Sequence, residues 1–237
     1  MFPDLLLNSP LFGIGLTIII YCACEIIVER LELDIIPPFV LACPIIIAIL
    51  LLNPQIKYEQ YASGGSLVNF LLGPATIALA LPLIRNRKII KRHAGIILGG
   101  ITIATLTAIF SIYICGKVFG TSEEVLLSLL PKSVTTPIAI EISNTIGGIA
   151  PLTAAAVIFT GMIGATFNHK ILSLFGIKND LAAGLAIGAS SHGLGTSVCS
   201  RVSPVQLAIG GVAIALTGIA TSILVPLLLP VLKSIFG

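Results

Sequence analysis

Charged side chains are scarce in this sequence: only 10 % of its 237 residues are Asp, Glu, Lys or Arg, whereas 56 % are hydrophobic. Soluble domains average about a quarter charged residues, so this composition excludes an ordinary soluble protein. The apolar runs also lack the alternation of polar and apolar residues that marks the strands of a membrane β-barrel. Because lipid satisfies no backbone groups, uninterrupted apolar runs are expected to be helices. We therefore predict an all-α integral membrane protein.

Motifs of enzyme and metal chemistry are missing too. The five cysteines are scattered through apolar runs without CxxC or His/Cys ligand spacing, a pattern typical of small packing residues. No phosphate-binding loop, zinc motif or nucleophile elbow is present. We expect no catalytic residues, no cofactor and no metal site.

Basic residues are concentrated in one stretch, "RNRKIIKRH", Arg85 to His93. Between two membrane runs, such a loop indicates the cytoplasmic side, and we do not expect it to bind nucleic acid. No basic region precedes the first apolar run, which therefore predicts a retained span, not a signal peptide. These features predict a multi-pass protein of the inner (plasma) membrane.

The sequence does contain long apolar runs. Several of them approach the roughly 20 residues that a membrane-spanning helix needs. Eight segments follow one another at about 11–29, 35–52, 63–84, 94–117, 123–146, 150–172, 179–199 and 204–235. Only short polar or Pro/Gly connections separate them, so we predict a single transmembrane domain over residues 1–237.

Two halves of the chain resemble each other. A shift of 111 positions lays Leu98–Ile112 over Ile209–Ile223, and a shift of 59 lays Pro74–Ile84 over Ser133–Ser143. We predict a duplication with halves at about residues 1–118 and 119–237.

The relative orientation of these halves stays open. Four full spans per half would make the repeats parallel, whereas re-entrant third and seventh segments would invert them. The polar character of those two segments favours inversion.

The fifth segment contains "LPKSVTTPIAIEIS", in which Pro131 and Pro137 predict an interrupted helix. At membrane depth, such a break persists only where protein or a wet cavity satisfies the freed backbone groups. Ser133, Thr135 and Thr136 add hydroxyls there. The break therefore predicts a lined site near the midplane.

Lys132 would lie near that midplane, where a lysine is unfavourable by roughly 2.5–3.5 kcal/mol and needs an anionic partner. The partner could be a protein carboxylate such as Glu141 or Glu25, giving a buried ion pair, or a carried anion. The hydroxyls and the exposed amides of a half-helix favour the anion. Glu141 could instead carry a proton or cation.

The seventh segment, "GASSHGLGTSVCSR", combines glycines with polar side chains, so we predict a second irregular helix. Close helix packing would explain the glycines alone. His192 could titrate, contact substrate or be structural, and Arg201 could bind an anion or mark the end of the segment. The candidate binding residues are Ser190, His192, Gly193, Thr196 and Arg201. In the third segment, Pro74 predicts a helix break and Thr76 a contact, unless this is a kinked packing helix.

Two stretches, "LLPKSVTTPIAIEISNTIGGI" and "GLAIGASSHGLGTSVC", resemble signature sequences of the LrgB/CidB family, most closely its bacterial branch sometimes called YohK. The resemblance implies one of two functions. Members are described as holin/antiholin-like regulators of murein hydrolase export and autolysis, or as carriers of small carboxylates, including a plastid glycolate/glycerate translocator. A smaller LrgA-type membrane partner often accompanies them.

Interrupted helices around a midplane lysine favour the carrier, because such breaks suit reversible binding and alternating access. We predict transport of a small monocarboxylate such as pyruvate or glycolate. Lys132 would bind the carboxylate, and His192 or Glu141 could couple transport to protons. The expected partners are a small organic anion, membrane lipid, and a second copy or an LrgA-type protein. The holin-like regulator is the alternative.

Overall fold

The computed structural model describes residues 7–31, 38–71, 74, 77 and 80–236. Within these ranges the chain is helical and contains no β-strand. It forms two compact units, Met1–Ile77 and Ala78–Gly237. The boundary lies well before the predicted midpoint of the duplication, which stays a prediction.

The first unit contains α1 (Pro10–Arg30), α2 (Pro38–Leu52) and α3 (Tyr58–Phe70). Ser9 caps α1, because its side chain accepts a hydrogen bond from the Leu11 amide at 3.3 Å. Helix α1 packs against both α2 and α3. The Thr17 hydroxyl of α1 lies 3.0 Å from the Tyr61 hydroxyl of α3.

The second unit contains α4 (Ala80–Arg85), α5 (Arg87–Arg92), α6 (Ala94–Val118), α7 (Glu123–Leu129), α8 (Thr136–Ile146), α9 (Ala150–Leu174), α10 (Asp180–Ser197), a 3₁₀ turn (Val198–Arg201) and α11 (Pro204–Phe236). Among the described residues, α1, α6, α9 and α11 are the four helices long and apolar enough to cross a membrane. The remaining predicted segments differ: α2 has only 15 residues, the fifth and seventh are interrupted, and the third lies partly outside the described residues.

Helices α6 and α11 run side by side in the same direction. One buried cluster contains Ile101 and Ala213, and a second contains Ile109 and Val225. We call the end where α6 and α11 begin the basic end, because the Arg85–His93 stretch leads into it, and the other end the opposite end. Inverted repeat counterparts would run antiparallel, so this pair gives no support to an inverted arrangement.

The fifth segment is interrupted between Leu130 and Thr135. Pro131 is buried in this turn, and Pro137 lies in the first turn of α8, where the missing amide donor costs nothing. Gly147, at a φ of 87°, ends α8 in the left-handed conformation that glycine adopts readily.

Together α7 and α8 form a hairpin, the first hairpin (residues 123–146). It starts at the opposite end, where Glu123 pairs with Lys233 of α11. Its turn reaches the middle of the unit, where Ile138 lies against Gly218 of α11. The chain then comes back, because the amide of Ile149 donates to Ser128 Oγ of α7 at 2.7 Å.

The seventh segment also turns back on itself and forms the second hairpin (residues 180–203). His192, with φ 43° and ψ −145°, interrupts the helix, so the break in this glycine-rich segment falls on a histidine and not on a glycine. Cys199 then packs in one cluster with Ala183, and Ser203 Oγ donates to Asp180 Oδ2 at 2.7 Å. The second hairpin therefore begins and ends at the basic end.

Candidate functional site

A cavity of about 740 Å³ lies along α9, between the two hairpins. We call it the lysine cavity. Most of its lining is apolar, as is usual for sites that bind small molecules. Its polar lining residues are Lys132 of the first hairpin, Thr160 and Asn168 of α9, and Ser190 and Ser191 of the second hairpin.

Lys132 is half-buried in the turn of the first hairpin, and its ammonium lies 3.5 Å from Ser133 Oγ. No carboxylate of the described residues forms an ion pair with it. Glu141 and Glu25, the protein partners suggested by the sequence, are both exposed. A cation held in a partly desolvated turn without a counter-charge attracts an anion.

The hydroxyls predicted around this lysine occupy the same turn. Ser133 is buried, and Thr136 begins α8. The hydroxyl of Thr135 is buried and has no hydrogen-bond partner within the described part of the chain. Since buried hydroxyls are normally paired, this one adds an unsatisfied polar group close to Lys132.

The other polar wall of the lysine cavity is a chain of three side chains. Asn168 Nδ2 donates to Ser191 Oγ at 3.0 Å, and Ser190 Oγ lies 3.0 Å from Ser191 Oγ. The prediction included Ser190 but missed Ser191 and Asn168. An amide side chain inside the mostly apolar 150–172 segment was the available signal for Asn168.

Two glycines of α9 allow the second hairpin to approach. A Cβ built on Gly164 would collide with the Ser191 hydroxyl, and one built on Gly161 would lie 2.7 Å from His192 Cε1. Because these two residues have no side chain, the polar side chains of the second hairpin can pack directly against α9 at this position. Their spacing of three within the apolar run was the signal that the sequence offered.

His192 does not line the lysine cavity. The residue is 4 % exposed, and its Nε2 lies 2.9 Å from the Val157 carbonyl oxygen of α9. Since a carbonyl only accepts, Nε2 carries the proton and donates. A positive φ is unfavourable for a residue other than glycine, so this bond helps to hold a strained turn.

Two more predicted residues of the second hairpin, Gly193 and Thr196, line a different cavity. It has a volume of about 440 Å³, and Arg85, Gly193, Thr196 and Ser197 line it. We call it the arginine cavity. Thr196 Oγ1 donates to the His192 carbonyl at 2.6 Å.

Two further predicted residues are exposed, and a third lies outside the described part of the chain. Arg201 is exposed on the 3₁₀ turn and lines neither cavity, and Pro74 is also exposed. Thr76 lies outside the described residues. Of the predicted substrate residues, two line the lysine cavity and two line the arginine cavity: Lys132 and Ser190, and Gly193 and Thr196.

Comparison with known proteins agrees with the sequence motifs. Residues 17–231 match the LrgB-like family, which confirms the resemblance to LrgB/CidB proteins. No solved structure matches the chain significantly. The family match covers nearly the whole chain and coincides with four helices suited to a membrane. The protein therefore belongs to the LrgB-like family.

Proposed function

We propose that this membrane protein is a secondary carrier for small monocarboxylates, such as pyruvate or glycolate, in the inner membrane. One observation carries the proposal: Lys132 lines a cavity without forming an ion pair with any described carboxylate, and the hydroxyls of Ser190 and Ser191 line the same cavity. A fixed positive charge with neutral hydrogen-bonding groups suits a small acid that carries a carbonyl or hydroxyl.

The chemistry of binding follows from these groups. The Lys132 ammonium would pair with the carboxylate, while the Asn168 amide and the two serine hydroxyls would bond to an oxygen on the adjacent carbon. Apolar residues such as Leu152 and Phe159 would contact the methyl or methylene group. The volume exceeds that of a three-carbon acid, so water would accompany the substrate.

Transport requires that the site open alternately to each side. The two hairpins begin at opposite ends of the second unit, and in a bilayer they would be re-entrant. From Asp180 to His192, the second hairpin rises about 18 Å, little more than half of a hydrocarbon core about 30 Å thick. Both turns would thus lie near the midplane, where movement of either hairpin exposes the site.

The decisive experiment compares lysines in reconstituted proteoliposomes. Lys132→Ala should abolish saturable uptake of labelled pyruvate or glycolate, and Lys132→Arg should retain part of it. Lys178→Ala is the matched control, because Lys178 is exposed and lies in a connection outside the cavity. Monodisperse elution in detergent would show that the variants fold. Wild-type uptake by folded Lys132→Ala would refute the proposed role of Lys132.

Proton coupling through His192 or Glu141 remains a separate proposal. Uptake driven by an imposed pH gradient in the wild type, and lost in Glu141→Gln or His192→Asn, would identify the coupling residue. Equal uptake with and without the gradient would argue against proton coupling.

Family membership also supports a second function, a holin-like regulator of murein hydrolase export that acts with an LrgA-type partner. This function predicts leakage of large solutes from cells or vesicles, without saturation by any small acid and without dependence on Lys132. Measuring dye release beside acid uptake in the same vesicles separates the two.

A further inference from the structure

We propose that the arginine cavity is a second binding site for the carried acid, which the acid occupies on the basic side of the second hairpin before or after the lysine cavity. The inference rests on the proposed carrier function. It assigns a ligand to Arg85, which the transport proposal itself does not use.

The first argument is that the turn of the second hairpin separates the cavities. Ser190 and Ser191 line the lysine cavity, whereas Gly193 and Thr196 line the arginine cavity. His192 alone stands between these pairs, with its ring buried against α9. In the proposed carrier, this strained turn would be the partition that moves when the acid passes from one cavity to the other.

The second argument is the chemistry of the arginine cavity. A guanidinium offers paired N–H donors that match the geometry of a carboxylate. Within the part of the chain that the structure describes, Arg85 forms no ion pair with a carboxylate. The hydroxyls of Thr196 and Ser197 donate to backbone carbonyls, so their oxygens remain acceptors for a ligand hydroxyl or water.

The third argument is position. Arg85 ends α4 and belongs to the basic stretch that predicts the cytoplasmic side. The cavity also contains Pro204, where α11 begins at the basic end. Because Arg85 is exposed, we expect weaker binding here than at Lys132, as suits a site that loads or releases substrate.

Cysteine protection tests this site without relying on transport. Among the described residues, no atom lies within 4 Å of a Cβ built on Gly193, so Gly193→Cys should be tolerated. It is introduced after the five native cysteines are replaced by alanine. A membrane-impermeant maleimide is applied from the basic side, with increasing pyruvate or glycolate. Ser197→Cys, also exposed in this cavity, is a second reporter should the first fail to fold.

The matched pair of variants is Arg85→Gln and Arg87→Gln, which remove the same charge from the same stretch. Arg87 does not line the cavity. The acid should slow labelling, and Arg85→Gln should raise the half-protecting concentration about tenfold. Arg87→Gln should leave it unchanged. Protection should also survive Lys132→Ala, because the two sites are separate.

Three results would overturn the inference: no protection by the acid, equal effects of the two arginine variants, or loss of protection in Lys132→Ala. If Lys132-dependent uptake persists alongside any of them, the carrier function stands and only the second site is lost. If protection survives but no variant or wild-type protein takes up acid, the cavity binds acid and the carrier function fails.

Discussion

The two hairpins of the second unit reverse the chain by different chemistry. In the first, Pro131 and Pro137 flank a turn in which the interrupted helix is the expected local structure. In the second, the turn falls on His192, whose backbone adopts a conformation that its own side chain disfavours. The local sequence therefore determines the first turn, whereas contacts with neighbouring helices determine the second turn.

Helix α9 contacts both hairpins, but the side chains at the two contacts differ. Thr153 is fully buried, and its hydroxyl lies 2.9 Å from the Ser128 carbonyl oxygen and 2.7 Å from Ser143 Oγ, both in the first hairpin. Towards the second hairpin, α9 instead presents Gly161 and Gly164. Hydrogen bonds join α9 to both hairpins, and at the second they are combined with close packing against these two glycines.

Adding one methyl group at the packed contact should have the largest effect on stability. Gly164→Ala would force its Cβ into Ser191, and we expect a loss of about 1–3 kcal/mol in the free energy of unfolding. Gly99→Ala on α6 is the control, because no atom lies near its Cβ; it should gain about 0.5–1 kcal/mol. Denaturation in mixed detergent measures both.

A second substitution tests whether the collision with Ser191 causes the loss of stability in Gly164→Ala. Ser191→Gly removes the colliding side chain, so adding it to Gly164→Ala should restore about half of the lost stability. No recovery in the double variant would mean that Gly164 is needed for another reason.

The sequence predicted the first hairpin better than the second. Two prolines and a lysine within an apolar segment indicated both an interrupted helix and a charged site, and Lys132 does line a cavity. The position of the second turn could not be read in this way. Glycine-rich sequence allows many breaks, and only contacts with Val157 and Gly161, far away in sequence, select His192.

The same reasoning explains the residues that were missed. Asn168 and Gly164 belong to the sixth segment, which reads as an ordinary apolar span, and they gain a role only through their contacts with Ser191. Conversely, Thr196 and Ser190 are six positions apart, yet they line different cavities because the chain reverses between them. Spacing along a helix does not predict shared sites across a turn.

Removing the hydrogen bonds at the first hairpin should have an intermediate effect. Thr153→Val keeps the side-chain shape but leaves buried groups of Ser128 and Ser143 unpaired, so we expect a loss of about 1–2 kcal/mol. Thr166→Val on the same helix is the control, since within the described part of the chain that hydroxyl bonds only to the Met162 carbonyl one turn away. Equal losses in the two variants would contradict a special role for Thr153.

The smallest expected change in stability comes from the backbone conformation at the turn of the second hairpin. His192→Ala and His192→Gly both lose the ring and its bond to Val157, so their difference isolates the backbone. Inside a helix, glycine is less stable than alanine by about 0.5–1 kcal/mol, as Ala186→Gly at an exposed position of α10 should show. At a φ of 43° the order should reverse, with His192→Gly more stable than His192→Ala by about 1 kcal/mol. If alanine were the more stable replacement at both positions, residue 192 would be helical in the membrane. The chain would then continue through residue 192 as an ordinary helix. The contrast with the proline turn would be wrong, and so would the proposal of a movable partition between the two cavities.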